Sequence, residues 1–191
     1  MIRLPRLGRK GAKTPARIGE PTIRPERPED SDPVRTVIEA AFAGHPHSEG
    51  NEAAIVDALR EDGDLALSLV AASSRGIVGH IAFSPALLST GEEGWFVAGP
   101  VSVEPSLQKM GVGRALIDEG IGQLRTRGAS GVVLVGDPDF YTQFGFRTDT
   151  ALTIEGELGA YFQVLSFGGP VPDATIHFAP AFDMPGDTTS V

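Results

Sequence analysis

Residues 101–116, VSVEPSLQKMGVGRAL, hold the pattern that decides the fold. Alternating apolar residues predict a short strand that ends at Glu104-Pro105, because proline cannot extend a sheet ladder or a helix from that point. Gly111 and Gly113 follow in a loop. Behind the loop, apolar residues recur at helical spacing at Ala115, Leu116, Ile117, Ile121 and Leu124. The stretch therefore predicts a strand, a glycine-bearing loop and a helix.

This loop is suited to binding an anion. Glycine lets the backbone turn tightly and lie close to a ligand, and the unpaired N–H groups at a helix N-terminus attract negative charge. We therefore expect a phosphate or pyrophosphate ligand. A Walker loop is excluded, because Gly113 is followed by Arg114-Ala115 instead of Lys and Ser or Thr. A dinucleotide fingerprint is excluded, because Leu116 stands where a third glycine or alanine is needed.

Two motifs in order resemble those of a known family. Gln-x-x-Gly-x-Gly at 108–113, after a strand and Glu-Pro, resembles motif A of the GNAT superfamily of N-acetyltransferases, which bind acetyl-CoA. Residues 140–146, FYTQFGF, resemble motif B of that superfamily. A helical pattern and the apolar run at 132–135 lie between them. The Gly-Pro at 99–100 and the Gly-Asp-Pro at 136–138 are similar to the YhbS-like branch.

The resemblance covers roughly residues 21–180 and implies both a fold and a reaction. The fold is α/β, with a mixed, mostly antiparallel sheet of about seven strands, splayed at the cofactor site and flanked by helices. The reaction is direct transfer of an acetyl group from acetyl-CoA to a primary amine of a small molecule or a protein, within a ternary complex. Two alternatives stay open, a non-catalytic acyl-CoA-binding domain and an interaction module that uses the basic N-terminal segment.

The resemblance assigns the cofactor to two groups of residues. In this family the motif A strand is bulged and separates from its parallel neighbour, which leaves N–H groups free to hold the thioester and the pantetheine arm. The positions that match are Val101, Ser102 and Val103. Pro100 removes a ladder donor within this strand, so we expect a bulge there. The loop that would hold the pyrophosphate comprises Gln108, Lys109, Met110, Gly111, Val112, Gly113 and Arg114.

Tyr141 is the candidate catalytic acid, since this family places a tyrosine at that motif position and a phenol near the sulfur can protonate the leaving thiolate. The general base is open to several residues. Carboxylates near the ends of predicted strands are Glu92, Glu93, Asp137 and Asp139, and Glu93 is our candidate. His80 alternates with apolar neighbours, and either it faces the acceptor or it is a structural histidine.

The remaining pattern completes the predicted domain. Residues 29–33 predict a helix start with Pro33 in the first turn, and apolar residues at helical spacing continue this helix from Val34 to Phe42. A second helix is predicted that Asn51 caps and that residues 61–63 end. In the family, the loop between two such helices, here 43–50, lies over the acceptor site. Strands are predicted at 23–25, 65–72, 77–88, 95–103, 132–135, 161–167 and 175–178, the last two as an antiparallel ribbon.

Charge divides the 191 residues into two parts. Residues 1–20 hold six basic residues and one acid with no periodicity, and we expect them to be disordered. Residues 21–191 form one predicted domain that keeps 10 of the 16 basic residues and 24 of the 25 acidic ones. A surface so acidic repels nucleic acid, and it either attracts a cationic acceptor such as an amine or only keeps the protein in solution.

Several classes of protein are excluded. The absence of cysteine rules out disulfides and thiolate chemistry and fits a cytoplasmic protein. No apolar run reaches about eighteen residues, and the N-terminal segment has no apolar centre, so we expect neither a membrane span nor a secretory signal. His45 and His47 are only two ligands, too few to indicate a metal site. We expect no metal, and either a monomer or a homodimer.

Overall fold

The computed structural model describes residues 20–45, 48–154 and 159–186. The predicted disordered segment, apart from Glu20, and His47 lie outside the described residues. The order of elements begins with a strand and two helices and continues with four strands, a helix, a strand, a short helix and three strands. The predicted bounds of the domain stay a prediction.

Six strands form the main sheet, in the spatial order β1-β2-β3-β5-β6-β8. They are β1 (Thr22–Pro25), β2 (Leu67–Ser73), β3 (Gly76–Pro85), β5 (Trp95–Val103), β6 (Gly131–Val135) and β8 (Phe162–Ser166). Neighbours run antiparallel except β5 and β6, which are parallel. The predicted mixed, mostly antiparallel α/β fold is confirmed.

A second, smaller sheet has the order β4-β9-β7. Its strands are β4 (Leu87–Leu88), β7 (Leu152–Ile154) and β9 (Ala174–His177). The predicted ribbon of 161–167 with 175–178 is wrong, because β8 pairs with β6 whereas β9 pairs with β4 and β7. The connection at 167–173 is rich in glycine and proline and too long for a tight hairpin turn, so β9 can reach the other sheet. The described strands thus form two sheets, where the sequence predicted one of about seven strands.

The described residues form four α-helices. They are α1 (Ser31–Phe42), α2 (Glu52–Asp62), α3 (Val112–Thr126) and α4 (Pro138–Tyr141). Gly63 ends α2 in the left-handed conformation, as predicted. Asn51 stands at the N-cap of α2, but its side chain donates to the carbonyl oxygen of Met184 and does not cap the helix. Within the described ranges, no helix combines the length and the apolar character that crossing a membrane requires.

The two faces of the main sheet carry different partners. Helix α3 covers one face through an apolar cluster that includes Ile81, Phe83, Leu116, Leu124 and Leu134. Helices α1 and α2 cover the other face over β2 and β3, where Val34, Ile38 and Val56 pack on Val70 and Ala82. The small sheet covers that same face over β5, β6 and β8. From Gly79 to Phe83, strand β3 therefore presents its odd-numbered residues to α3 and its even-numbered residues to α1 and α2.

Candidate active site

Strands β5 and β6 are paired over only part of their length. The parallel ladder joins Trp95–Val97 to Gly131–Val133 and then stops. Strand β5 continues to Val103, and from Ala98 onward its edge on the β6 side pairs with no described strand. An unpaired edge inside a sheet leaves backbone N–H and C=O groups free for a ligand. The expected splay is present.

A β-bulge lies at the start of this open edge. The register joins Phe83 to Ala98 but Ile81 to Val101, so that Gly99 and Pro100 together stand opposite a single residue of β3. This confirms the bulge expected at Pro100. The extra residue bends β5 away from β6.

Backbone alternation decides which N–H groups face the opening. The N–H of Glu104 donates to the carbonyl of Val78 on β3, at 2.9 Å. Because successive N–H groups of a strand point in opposite directions, the N–H of Ser102 also faces β3, whereas those of Val101 and Val103 face the open edge. Two of the three predicted donors are thus available there. Ser102 instead buries its hydroxyl on the α1 side of the sheet.

The loop after β5 has the backbone of an anion site. Lys109 and Gly111 both adopt positive φ, at 62° and 92°, and a non-glycine residue in that region is uncommon. The first helical hydrogen bond of α3 runs from the N–H of Ala115 to the carbonyl of Gly111. The N–H groups of Val112, Gly113 and Arg114 therefore have no helical acceptor and carry the positive end of the helix dipole.

Space for a ligand lies beside the two glycines. A Cβ at Gly111 would meet no described atom within 4 Å, and one at Gly113 would meet only Cγ2 of Val103, at 3.6 Å. The amide of Gln108 donates to the carbonyl oxygen of Val103, at 3.2 Å. This hydrogen bond fixes the loop to the end of β5, which brings the anion site and the open edge together.

Arg114 connects the loop to the second motif. Its guanidinium donates to Oε1 of Gln143 and lies over the ring of Phe144, 5.7 Å from the ring centroid. Lys109 and Met110 are exposed beside it, Met110 with 70% of its surface accessible. The predicted loop residues from Gln108 to Arg114 therefore lie on one continuous segment, between β5 and the Phe-Tyr motif.

Tyr141 lies just beyond the C-terminal end of β6. Its ring packs against Gly136 and forms edge contacts with Phe140, at 4.9 Å, and with Phe146, at 5.9 Å between centroids. Burial raises the pKa of Tyr141 to about 12. Its hydroxyl makes no hydrogen bond to any described residue. A phenol with this pKa holds its proton at neutral pH, so it is suited to an acid and not to a base.

Glu93 and Tyr141 lie at opposite ends of strands β5 and β6. It is exposed in the turn that precedes β5, whereas Tyr141 follows the C-terminal end of β6. Because β5 and β6 are parallel, these are opposite ends of the same pair of strands. The structure therefore does not bring Glu93 to the open edge, and its role as a base stays a prediction that no contact supports.

The other candidate carboxylates lie at one or the other of these two ends of β5 and β6. Glu92 lies beside Glu93, far from the open edge. Asp137 and Asp139 follow the C-terminal end of β6, near Tyr141. The side chain of Asp137 accepts a hydrogen bond from the N–H of Asp139, at 3.0 Å. Asp137 thus serves as the N-cap of α4. No described group of three or more His, Cys, Asp or Glu side chains has a metal-binding arrangement.

Sequence reasoning missed an apolar rim around the end of β6. Val135, Phe140 and Tyr161 expose 44%, 39% and 53% of their surface. The carbonyl of Tyr161 accepts a hydrogen bond from the N–H of Gly136, which holds the rim residues near one another. An aromatic motif of this kind predicts core residues, but of Phe140, Phe144 and Phe146 only Phe146 is fully buried. The sequence signal for this rim was Val135, an apolar residue at the end of a buried strand.

Comparisons with known proteins agree with this geometry. The acetyltransferase (GNAT) domain family matches residues 64–148. The N-acetyltransferase YhbS of Escherichia coli K12 is 35% identical over 126 residues, which make up 65% of this chain and 72% of YhbS.

Solved structures extend the similarity over more of the chain. The crystal structure of a GNAT family acetyltransferase from Brucella melitensis in complex with acetyl-CoA has a TM-score of 0.76 and 46% identity, covering 85% of this chain and 97% of that one. The structure of YhbS from Escherichia coli in complex with CoA has a TM-score of 0.75 and 32% identity, covering 86% and 93%.

Proposed function

The chain belongs to the GNAT acetyltransferase family and to its YhbS-like branch, and from this premise we propose that it moves the acetyl group of acetyl-CoA to a primary amine. The amine belongs to a small molecule or to a protein, and it attacks the thioester directly in a ternary complex. The chain is an acyltransferase. The acceptor and the residue roles below are our proposal.

One observation carries this proposal: an open strand edge with two free N–H groups adjoins the N-terminus of a helix. The N–H groups of Val101 and Val103 face that edge. They would hold the pantetheine arm and polarise the thioester carbonyl, whose oxygen gains negative charge during attack. The apolar rim at the end of β6 supports the same assignment, since the methylene and methyl groups of pantetheine and the acetyl methyl are apolar.

The loop from Gln108 to Arg114 would bind the pyrophosphate of CoA. The unpaired N–H groups of Val112, Gly113 and Arg114 supply donors at the positive end of α3. The open space beside Gly111 and Gly113 allows phosphate oxygens to lie against the backbone. Lys109 and Arg114 add positive charge next to that position.

Tyr141 would protonate the leaving thiolate. During the reaction a C–N bond forms to the amine, the C–S bond breaks and the sulfur needs a proton. The burial of the ring keeps the phenol protonated and therefore able to donate. The nitrogen that has attacked carries an excess proton, and transfer of that proton to the tyrosinate restores Tyr141. Positioning and hydrogen bonding would thus carry out the chemistry without a covalent enzyme intermediate.

Release of free CoA thiol from acetyl-CoA tests the proposal. Wild-type protein is mixed with acetyl-CoA and a panel of primary amines: a polyamine, a peptide with a free N-terminus and a peptide with one free lysine side chain. We expect amine-dependent thiol release and an acetylated product in the mass spectrum. Binding of acetyl-CoA without transfer to any amine would instead favour the non-catalytic acyl-CoA-binding alternative.

A further inference from the structure

A buried polar row crosses the main sheet behind the open edge. Ser68 on β2 lies 2.9 Å from Nε2 of His80 on β3, and its hydroxyl also donates to the carboxylate of Glu26, just after β1. Nε2 of His80 is 3.5 Å from Oε2 of Glu26. Register places Ser102 of β5 directly opposite His80. Glu26, Ser68, His80 and Ser102 thus lie on one face of four adjacent strands.

These hydrogen bonds fix the tautomer of His80. The hydroxyl hydrogen of Ser68 is used on Glu26, so Ser68 can only accept a hydrogen bond from the imidazole. Nε2 of His80 must therefore carry the proton. In the neutral ring, Nδ1 then has a free lone pair and is the basic atom.

Two side chains in directly opposite register, His80 and Ser102, each hold a polar atom without a hydrogen bond to the described part of the chain, and no hydrogen bond joins the two. His80 is fully buried, and neither its Nδ1 nor the hydroxyl of Ser102 has a hydrogen-bond partner among the described residues. Side chains directly opposite on one face of an antiparallel pair are neighbours. Unsatisfied buried polar atoms are rare and call for an explanation. Ser102 is also flanked by Val101 and Val103, whose N–H groups face the proposed thioester site.

His80 is a neutral ring held next to a charged carboxylate. Burial alone would raise the pKa of Glu26, but hydrogen bonds with His80 and Ser68 and the charge of Arg60 outweigh it and lower the pKa to about 2. Arg60 donates to Glu26 at 2.7 Å and to Asp57 at 2.6 Å, and Asp57 also accepts from Arg35 of α1. Burial lowers the pKa of His80, so the ring is neutral at neutral pH.

We propose that His80, acting through the Ser102 hydroxyl and oriented by Ser68 and Glu26, removes the proton that an acceptor ammonium must lose before it attacks. This inference rests on the proposed function and identifies the base that the sequence left open. An ammonium N–H bond breaks as its proton moves to Oγ of Ser102, while the hydroxyl proton of Ser102 moves to Nδ1 of His80. The amine becomes neutral, and the imidazolium is balanced by the Glu26 carboxylate. His80 returns this proton to solvent after turnover.

The test compares two acceptors of the same size that differ in charge. Ethylamine is protonated at neutral pH, whereas methoxyamine is not and needs no base before it attacks. In His80→Gln, the side-chain amide keeps a donor for Ser68 but lacks the basic Nδ1. We expect this variant to lower kcat/KM for ethylamine by about 10²-fold or more and to change kcat/KM for methoxyamine by less than about threefold.

A pair of serine variants separates the relay from a structural effect. Ser102→Ala removes the proposed relay hydroxyl and should again affect only the charged acceptor. Ser84→Ala is the matched control, because Ser84 is also a buried serine with no hydrogen-bond partner in the described part of the chain, on the same face of β3 as His80. It lies about 13 Å along the strand from His80 and should change neither rate.

Three results would overturn the relay. They are an equal loss for both amines in His80→Gln, no loss for either, and two-bond ¹H–¹⁵N spectra that place the neutral-ring proton of wild-type His80 on Nδ1. Calorimetry with acetyl-CoA runs in parallel and should give the same Kd for wild type, His80→Gln and Ser102→Ala. A wild-type protein that does not bind acetyl-CoA contradicts the proposed function itself, which distinguishes that failure from a failure of the relay.

Discussion

Gly136 and the ring of Tyr141 are packed so closely that a Cβ at position 136 would lie 2.9 Å from Cδ2 of the tyrosine and closer still to Cε2. Gly136 therefore determines where the phenol lies relative to the open edge of β5. We expect Gly136→Ala to displace the ring and to lower kcat by about tenfold to a hundredfold, because small shifts of a positioned catalytic group are costly. Steady-state kinetics, with calorimetry for acetyl-CoA affinity, measures the effect.

Gly122→Ala is the control for this substitution. It adds the same methyl group on α3, where no described atom lies within 4 Å of the new Cβ. Its kcat should equal that of wild type. If Gly136→Ala were as active as Gly122→Ala, the packing of Tyr141 would have no influence on turnover.

Tyr141→Phe should slow turnover and leave acetyl-CoA binding unchanged. The phenyl ring keeps the contacts with Phe140 and Phe146, but the proton donor is lost, which costs typically about 10²-fold or more. Since burial raises the pKa of Tyr141 to about 12, the wild-type acid stays protonated throughout the neutral and mildly alkaline range. Wild-type kcat should show no decrease up to about pH 10, and a decrease centred near neutral pH would assign the acid to another group.

Glu26→Gln should destabilise the fold in a pH-dependent way. The pKa of Glu26 is lowered from 4.5 to about 2 in the folded chain, so its charge stabilises the fold fully above the unfolded value and loses that effect as the pH falls towards 2. At pH 7 the variant should lose up to about 3 kcal/mol of unfolding free energy. Urea unfolding at several pH values should show the difference from wild type shrinking below about pH 4. A difference that stays constant with pH would contradict a stabilising charge at Glu26.

Gly120→Ala should destabilise the core between α3 and the sheet. A Cβ at this position would overlap the ring of Phe83, which is fully buried. Overpacking of this kind costs about 1–3 kcal/mol. Gly122→Ala, two residues further along the same helix, meets open space and should instead gain about 0.5–1 kcal/mol from helix propensity. In thermal unfolding, a lower Tm for Gly120→Ala and a higher Tm for Gly122→Ala would confirm this packing. Changes of the same sign in both variants would contradict it.

The parts of the site that were predictable depend on local backbone chemistry. Pro100 cannot donate to a ladder, which predicts the bulge in β5, and Gly111 tolerates the positive φ that begins α3. The order of the two motifs predicts that Tyr141 follows the parallel partner strand. Each of these inferences needs only neighbouring residues in the chain, so the sequence carries them.

The parts that were missed depend on long-range pairing. Glu93 is close in sequence to β5. Because β6 runs parallel to β5, however, Glu93 and Tyr141 lie at opposite ends of this pair of strands. The row from Glu26 to Ser102 joins residues of four strands, and no spacing in the sequence indicates that they meet. The same holds for β9, whose partners are chosen by the packing of the small sheet and not by its own pattern.

Calorimetry with acetyl-CoA tests the central claim most directly. Wild type is compared with Gly113→Trp, which fills the space beside the loop, and with Gly122→Trp, which places the same side chain on an open part of the same helix. We expect wild type and Gly122→Trp to bind acetyl-CoA with the same Kd, and Gly113→Trp to lose binding. Equal binding by all three proteins would place the cofactor elsewhere, and no binding by the wild type would contradict the claim that this chain uses acetyl-CoA.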